Sequence, residues 1–196
     1  MQTRRFCVLT GLPGSGKSGV AHILAPRLRG DWEILHWDDT IGPTQLVYQD
    51  EGKVDGQLEW ERLRPYHPLV AGWSAGWHLF DGRNVLLEGH VLNGSERSRL
   101  LNAVQALYRG PLDTRFALLD VPVERAIKNR IGDTYWHPEW VGEERRRNVD
   151  GWIRSHAPTP DSYDSKIDGV ADDFFEVVRR VIVYFGLDLK PGFGLA

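Results

Sequence analysis

The chain has 196 residues, a formal net charge of −3 and a single cysteine, Cys7. That length supports one sizeable core, so a single domain over residues 1–196 is expected, and mixed charge without a basic tract argues against an extended nucleic-acid partner. Cys7 has no disulfide partner, no apolar run reaches the ~18 residues of a membrane span, and the apolar stretch after Arg5 is too short for a signal peptide, so a cytoplasmic protein is expected.

Residues 5–10 read as a short apolar strand running into Gly11-Leu12-Pro13-Gly14-Ser15-Gly16-Lys17-Ser18, a complete G-x-x-x-x-G-K-S pattern. Gly11, Gly14 and Gly16 allow a tight turn whose N–H groups approach an anion that a Cβ would obstruct. A helix starting near Gly16 aims its orphan N–H groups and positive end at the same point. Lys17 can then reach the β- and γ-phosphates, and Ser18 can offer its hydroxyl to Mg²⁺. Residues 11–18, Pro13 and Ser15 included, therefore predict a nucleoside triphosphate site.

Val20, Ile23, Leu24 and Leu28 recur at helical spacing, with a bend or early stop expected at Pro26. A second strand over 33–37 empties into Asp38-Asp39, two carboxylates at a strand's C-terminal end. Residues 40–66 are irregular, with a helical piece over 58–63. From Pro68, the positions Leu69, Val70, Trp73, Trp77 and Phe80 mark one helix face, closed by Gly82. Core packing is the leading reading of Trp73 and Trp77, and stacking on a ligand the other.

Residues 84–90 form a third strand, apolar without alternation and ending in Glu88-Gly89-His90. Ser95 is expected to cap a helix carrying Leu100, Leu101, Val104, Leu107 and Tyr108. A fourth strand over 115–120 ends at Asp120, and Pro122 opens a helix over 123–130. Residues 131–160 mix tryptophans with Arg145-Arg146-Arg147 and read as a cover more than as core, with at most one or two of those arginines pointing inward. Lys166-Ile167 suggest a fifth strand, and Phe174, Val177, Val178, Val181, Ile182 and Phe185 share the core face of a last helix.

Strands alternating with helices call for an α/β fold, a parallel sheet with helices on both faces. Right-handed crossovers place Asp38, Asp39, Glu88 and Asp120 on one edge, where a polyphosphate would need Mg²⁺ to offset them.

GLPGSGKS at 11–18, WDD at 37–39, NVLLEGH at 84–90, FALLDVPVERAIKNR at 116–130 and YDSKIDG at 163–169 together resemble the small P-loop kinases of the nucleoside monophosphate kinase type. This group includes shikimate, gluconate and adenylylsulfate kinases and the chloramphenicol phosphotransferases, to which the chain is nearest in character. The resemblance implies a three-layer sandwich with strand order 2-3-1-4-5. It also implies an acceptor-binding helical insert over 40–83 and a lid over 131–147. Arg125 and Arg130 then fall near the nucleotide and the lid, and Lys166 near the adenine. In the antibiotic-modifying members an aspartate after strand two is the base. The insert lacks a distinct Asp-Arg pair of the sort used to hold an anionic acceptor.

The residues allow the following roles. Asp38 accepts or orients the proton of an acceptor hydroxyl, with Asp39 as near-equal alternative, unless both merely form the turn. Lys17 and Arg130 offset phosphoryl charge. Ser18, Asp38 and Glu88 are the candidate Mg²⁺ ligands, Glu88 holding a metal-bound water or the acceptor hydroxyl, with a capping role as the alternative. His90 lines the acceptor pocket or simply packs. Asp120 is expected to cap the helix at Pro122. Trp37 and Trp60, with Trp73 and Trp77, would suit a bulky, partly apolar acceptor. The leading expectation is an ATP-dependent kinase acting on a hydroxyl of a small molecule such as an antibiotic or nucleoside. A nucleotide or polynucleotide end kinase and a nucleotide-switched regulatory ATPase are the alternatives, and a homodimer is left open.

Overall fold

In the computed structural model, which describes residues 2–39, 64–132 and 142–192, five parallel strands form one sheet in the order β2-β3-β1-β4-β5. The strands are β1 (Arg4–Thr10), β2 (Trp32–His36), β3 (Asn84–Glu88), β4 (Leu112–Asp120) and β5 (Ser165–Asp168). The described helices are α1 (Lys17–Leu24), α2 (His67–Phe80), α3 (Gly94–Leu107), α4 (Val123–Gly132), α5 (Gly142–Ser155) and α6 (Phe174–Phe185).

Alternation along each strand sends side chains to two separate cores. Cys7, Leu9, Leu86, Leu119 and Ile167 meet Val20 and Leu24 of α1 and Val177, Val178, Val181 and Phe185 of α6. Phe6, Val8, Val85, Leu87 and Phe116 meet Ala71, Ala75 and Leu79 of α2 and Leu100 and Val104 of α3. With both faces covered, β3 is buried at every position, which is why its sequence is apolar without alternation. This is the three-layer sandwich of a P-loop kinase, in the predicted strand order. Among the described residues no helix is long and apolar enough to cross a membrane. Cys7 is fully buried, and loss of water pushes its thiol up to about 12.

Several boundaries differ from expectation. β2 stops at His36, and residues 37–39 turn helically, because the Trp37 ring folds inward and is only 3% exposed. Gly89 makes room for it: a Cβ there would stand 2.5 Å from the Trp37 Cβ. β4 begins at Leu112 because β1 pairs with it from Arg4 onward. Asn93, not Ser95, caps α3: its Oδ1 accepts from the Glu96 N–H at 2.9 Å, and the Glu96 carboxylate accepts from the Leu92 N–H at 2.7 Å. α1 ends at Leu24 ahead of Pro26, as expected, while Leu28 stays in the core outside the helix. The helical piece expected over 58–63 and Trp60 lie outside the described residues.

The largest correction concerns α2. Its buried stripe is Ala71, Gly72, Ala75, Gly76 and Leu79, whereas Trp73, Trp77 and Phe80 are exposed. Small residues let α2 lie almost backbone to backbone on α3, a closer contact than a tryptophan face permits. A Cβ on Gly72 would stand 2.5 Å from the Ala103 Cβ and 2.6 Å from the Leu100 carbonyl oxygen. Gly72→Ala is therefore expected to lose about 1–2 kcal/mol, overpacking outweighing the gain in helix propensity. Gly151→Ala in α5, where a Cβ meets open space, should be neutral or stabilising. Urea midpoints of the two variants check this, and an unchanged midpoint for Gly72→Ala would mean that α2 and α3 can separate without cost.

Candidate functional site

The C-terminal ends of β1, β2 and β3 open on a cleft of about 270 Å³. Its floor is the glycine loop after β1. Gly14 and Gly16 take φ of +82° and +97°, and a Cβ on Gly14 would stand 2.5 Å from the Ala126 carbonyl oxygen of α4. Gly16 caps α1 with no side-chain hydrogen bond, leaving the first-turn N–H groups without a side-chain acceptor. Asn129 of α4 donates through its side-chain amide to the Gly14 carbonyl at 2.9 Å, tying this loop to the helix that leads into the proposed lid.

Lys17 is 5% exposed and lies back along the loop. Its Nζ donates to the carbonyl oxygens of Gly11 and Leu12, both at 3.0 Å, and to Ser15 Oγ at 3.4 Å. Burial lowers its pKa to about 8, against the opposing charges of Glu88 and Asp38 and with help from Arg130.

Across the cleft stands Glu88, 5% exposed, whose Oε1 accepts from Ser18 Oγ at 3.2 Å and pairs with His36 Nδ1 at 2.9 Å. The turn after β3 is clasped to β1, since Thr10 Oγ1 donates to the Val91 carbonyl at 3.0 Å and accepts from its N–H at 3.2 Å. That clasp holds His90 in the cleft wall. Burial, then the charges of Lys17, His156 and Arg130, push His90 well below the ordinary histidine value, while a hydrogen bond with the Gly11 backbone opposes them. Among the described residues its Nδ1 has no hydrogen-bond partner, so the neutral ring keeps a polar atom unused beside the loop.

Asp38 lines the cleft with Trp37, and Asp39 is not among its walls. Asp38 is exposed at the mouth of the cleft, yet its carboxyl is raised above the ordinary carboxylate value, first by desolvation and then by the Glu88 charge, with Lys17 and Arg130 opposing. Arg130 enters from α4, its guanidinium 5.6 Å from the Trp152 ring centroid in α5. Of the three successive arginines Arg145 alone is buried, and its Nε donates to the Ile131 carbonyl at 3.3 Å.

Pro13, Gly14, Gly16, Lys17, Ser18, Trp37, Asp38, Glu88, His90 and Arg130 thus meet in one place. Gly11 and Ser15 support Lys17 from behind. Arg125 is exposed and opens on an adjoining groove with Glu124, Lys128 and Asn129, the last of which also lines the cleft. Lys166 is paired with Asp120 at 3.2 Å on the surface, and the Asp120 carboxylate is taken up there instead of capping α4. Trp73 and Trp77 lie outside the cleft walls, on the exposed face of α2.

Sequence reasoning missed His36 and Asn129. Only the pairing of β2 with β3 in register sets His36 opposite Glu88. Asn129 is an ordinary polar helix position until α4 is seen to abut Gly14.

The donors fit a Mg²⁺–triphosphate complex: uncapped N–H groups, a buried ammonium, a hydroxyl and one adjacent carboxylate. Among the described residues no three His, Cys, Asp or Glu side chains gather into a metal cage. Mg²⁺ bound through one or two protein groups and phosphate oxygens needs none.

No family model matches this sequence, and no curated protein matches it. Among solved structures, the tunicamycin resistance protein of Deinococcus radiodurans superposes with a TM-score of 0.64 at 16% identity, covering 97% of this chain and 99% of that one. The APS kinase of Mycobacterium tuberculosis, solved with AMPPNP and APS, gives 0.61 at 18% identity over 93% and 98% of the two chains. A gluconokinase of Sinorhizobium meliloti gives 0.56 at 17% identity over 95% and 94%. At such identities the likeness speaks for architecture, and this chain shares the fold of the small-molecule P-loop kinases.

Proposed function

We propose that this chain is an ATP-dependent kinase that moves the γ-phosphate of ATP to a hydroxyl of a small molecule. The observation that carries the reading is the placement of Lys17, the Ser18–Glu88 pair, Asp38 and Arg130 around one cleft at the mouth of the glycine loop. The tunicamycin resistance protein, gluconokinase and APS kinase that share the fold support a small, hydroxylated acceptor, with an antibiotic or a nucleoside among the classes to test.

In this reading the N–H groups of Gly14 and of residues 16–18 grip the β- and γ-phosphates, the Ser15 N–H being held by the Leu12 carbonyl, and Lys17 leaves the Gly11 and Leu12 carbonyls to join them. Ser18, with Glu88, would hold Mg²⁺, which when bound offsets phosphate charge. Ser18 directs its proton to Glu88, turning its oxygen lone pairs toward such an ion. Asp38, its carboxyl raised above the ordinary value by desolvation and the Glu88 charge, takes the acceptor hydroxyl's proton, with Asp39 as the substitute if that role fails. Neutral His90 offers Nδ1 to a second hydroxyl of the acceptor, beside Trp37. Arg130 balances charge from the lid side. Arg125, Lys166, Trp73 and Trp77 do not line this cleft and are given no role in it.

Incubation of the purified protein with labelled ATP and panels of antibiotics, nucleosides, sugars and small acids tests the reading. A phosphorylated small molecule supports it. Product only on a nucleotide or polynucleotide end would replace it with an end kinase, and nothing above background hydrolysis would favour a nucleotide switch.

The lowered Lys17 pKa has a readable consequence. Phosphates beside the ammonium favour its charged form, so binding takes up a proton wherever free Lys17 is neutral, above about 8. ATP affinity is expected to fall about tenfold between pH ~7 and ~9, with proton uptake visible as a buffer-dependent binding heat in calorimetry. A pH-independent affinity would mean that Lys17 stays charged in the free protein.

A further inference from the structure

Glu88 is a nearly buried carboxylate, and such a group is costly unless donors satisfy it. Two donors reach it, Ser18 Oγ and His36 Nδ1, and both bind the same oxygen, Oε1. Among the described residues Oε2 takes no hydrogen bond. The sheet dictates this geometry. β2 and β3 run parallel with His36 directly opposite Glu88, so their side chains leave on the same side, in line with Ile34 and Leu86, which pack toward α1. Ser18 stands in the first turn of α1, at the end of that face. His36 is the more accessible partner, its side chain 34% exposed against 6% for Glu88, so it braces the carboxylate from the solvent side.

We propose that His36 is a positioning residue: by donating from Nδ1 to Glu88 Oε1 it holds the carboxylate in the one orientation that receives the Ser18 proton and turns Oε2 into the cleft. The proposal rests on the ATP-dependent reading above. Without this brace Glu88 is free to rotate about its side-chain bonds, and the Ser18 hydroxyl loses its fixed acceptor. The loss falls on the magnesium complex of the nucleotide, because the phosphate grip belongs to the loop amides and Lys17, which His36 does not touch. Partners that orient metal-binding groups typically account for about 10–100-fold in metal affinity or activity.

The test is a set of calorimetric titrations with ATP alone and with ATP plus Mg²⁺, on wild type, His36→Ala and His36→Asn. The asparagine amide can present an N–H near the place of Nδ1–H. The expected result is that His36→Ala weakens Mg²⁺·ATP uptake by about tenfold while metal-free ATP binding is unchanged, and that His36→Asn recovers most of the loss. In a Glu88→Ala background, His36→Ala should add no further loss, since the group it positions is gone. Equal weakening with and without Mg²⁺, no weakening at all, an asparagine variant no better than alanine, or additive losses would each overturn the positioning role. Failure of the wild type itself to take up nucleotide would instead remove the kinase reading and this inference with it.

Discussion

Lys17→Ala is expected to abolish nearly all phosphoryl transfer, by a factor on the order of 10³, with nucleotide binding weakened as well. The size follows from where the ammonium sits. Lys17 is buried against Gly11, Leu12 and Ser15, so its charge acts through a poorly screened medium and reaches phosphate without crossing bulk water. Alanine also removes the donors that brace those three loop groups in the free protein, and the loop loses its shape together with its charge. Turnover under saturating ATP and a nucleotide titration of the variant check this. Retention of more than about a tenth of wild-type transfer would show that the amides of the loop and Arg130 suffice without the lysine.

The second large effect belongs to Asp38. Asp38→Asn keeps the size and most hydrogen-bonding geometry of the side chain but removes its ability to take a proton. Turnover is expected to fall by about 10²–10⁴, the usual contribution of a positioned general base. Nucleotide affinity should change by no more than about threefold, because the group acts at the acceptor and not on the triphosphate. Of the two neighbouring aspartates only Asp38 lines the cleft, where the charges of Glu88, Lys17 and Arg130 act on its carboxyl. A kcat equal to wild type in Asp38→Asn, with a collapse in Asp39→Asn, would transfer the base role to Asp39. Wild-type turnover in both would reduce the pair to turn formers.

Gly14, Gly16, Lys17 and Ser18 belong to a contiguous pattern whose function is local: a turn, a helix start and two side chains within one loop. Nothing distant is needed to shape them: Gly14 and Gly16 take positive φ, and the helix starts at Lys17. Trp73 and Trp77 show the opposite case. Their spacing with Leu69, Val70 and Phe80 marks a face, but periodicity alone does not reveal which face the protein buries. α2 turned its Ala and Gly stripe inward because Ala103 and the Leu100 carbonyl of α3 leave no room for anything larger. Hydrophobic aromatics were left outside by that steric limit. Lys166 and Arg125 do not line the cleft: Lys166 pairs with Asp120, and Arg125 opens on the adjoining groove.

By itself the sequence determined the alternation of strands and helices, the glycine loop between β1 and α1, and the presence of acidic residues at strand ends. Each of these is written in local spacing, through backbone freedom at glycine and the periods of strand and helix. The tertiary structure alone decided that Glu88 shares one oxygen between Ser18 and His36, that Asn129 secures Gly14, and that Asp38 instead of Asp39 faces the loop. These pairs are separated by many residues along the chain, and they meet only when sheet register and helix packing fix which side chains leave on the same face and how close two backbones come. Hydrogen bonds require that agreement to within fractions of an ångström, a condition that spacing along a sequence does not carry.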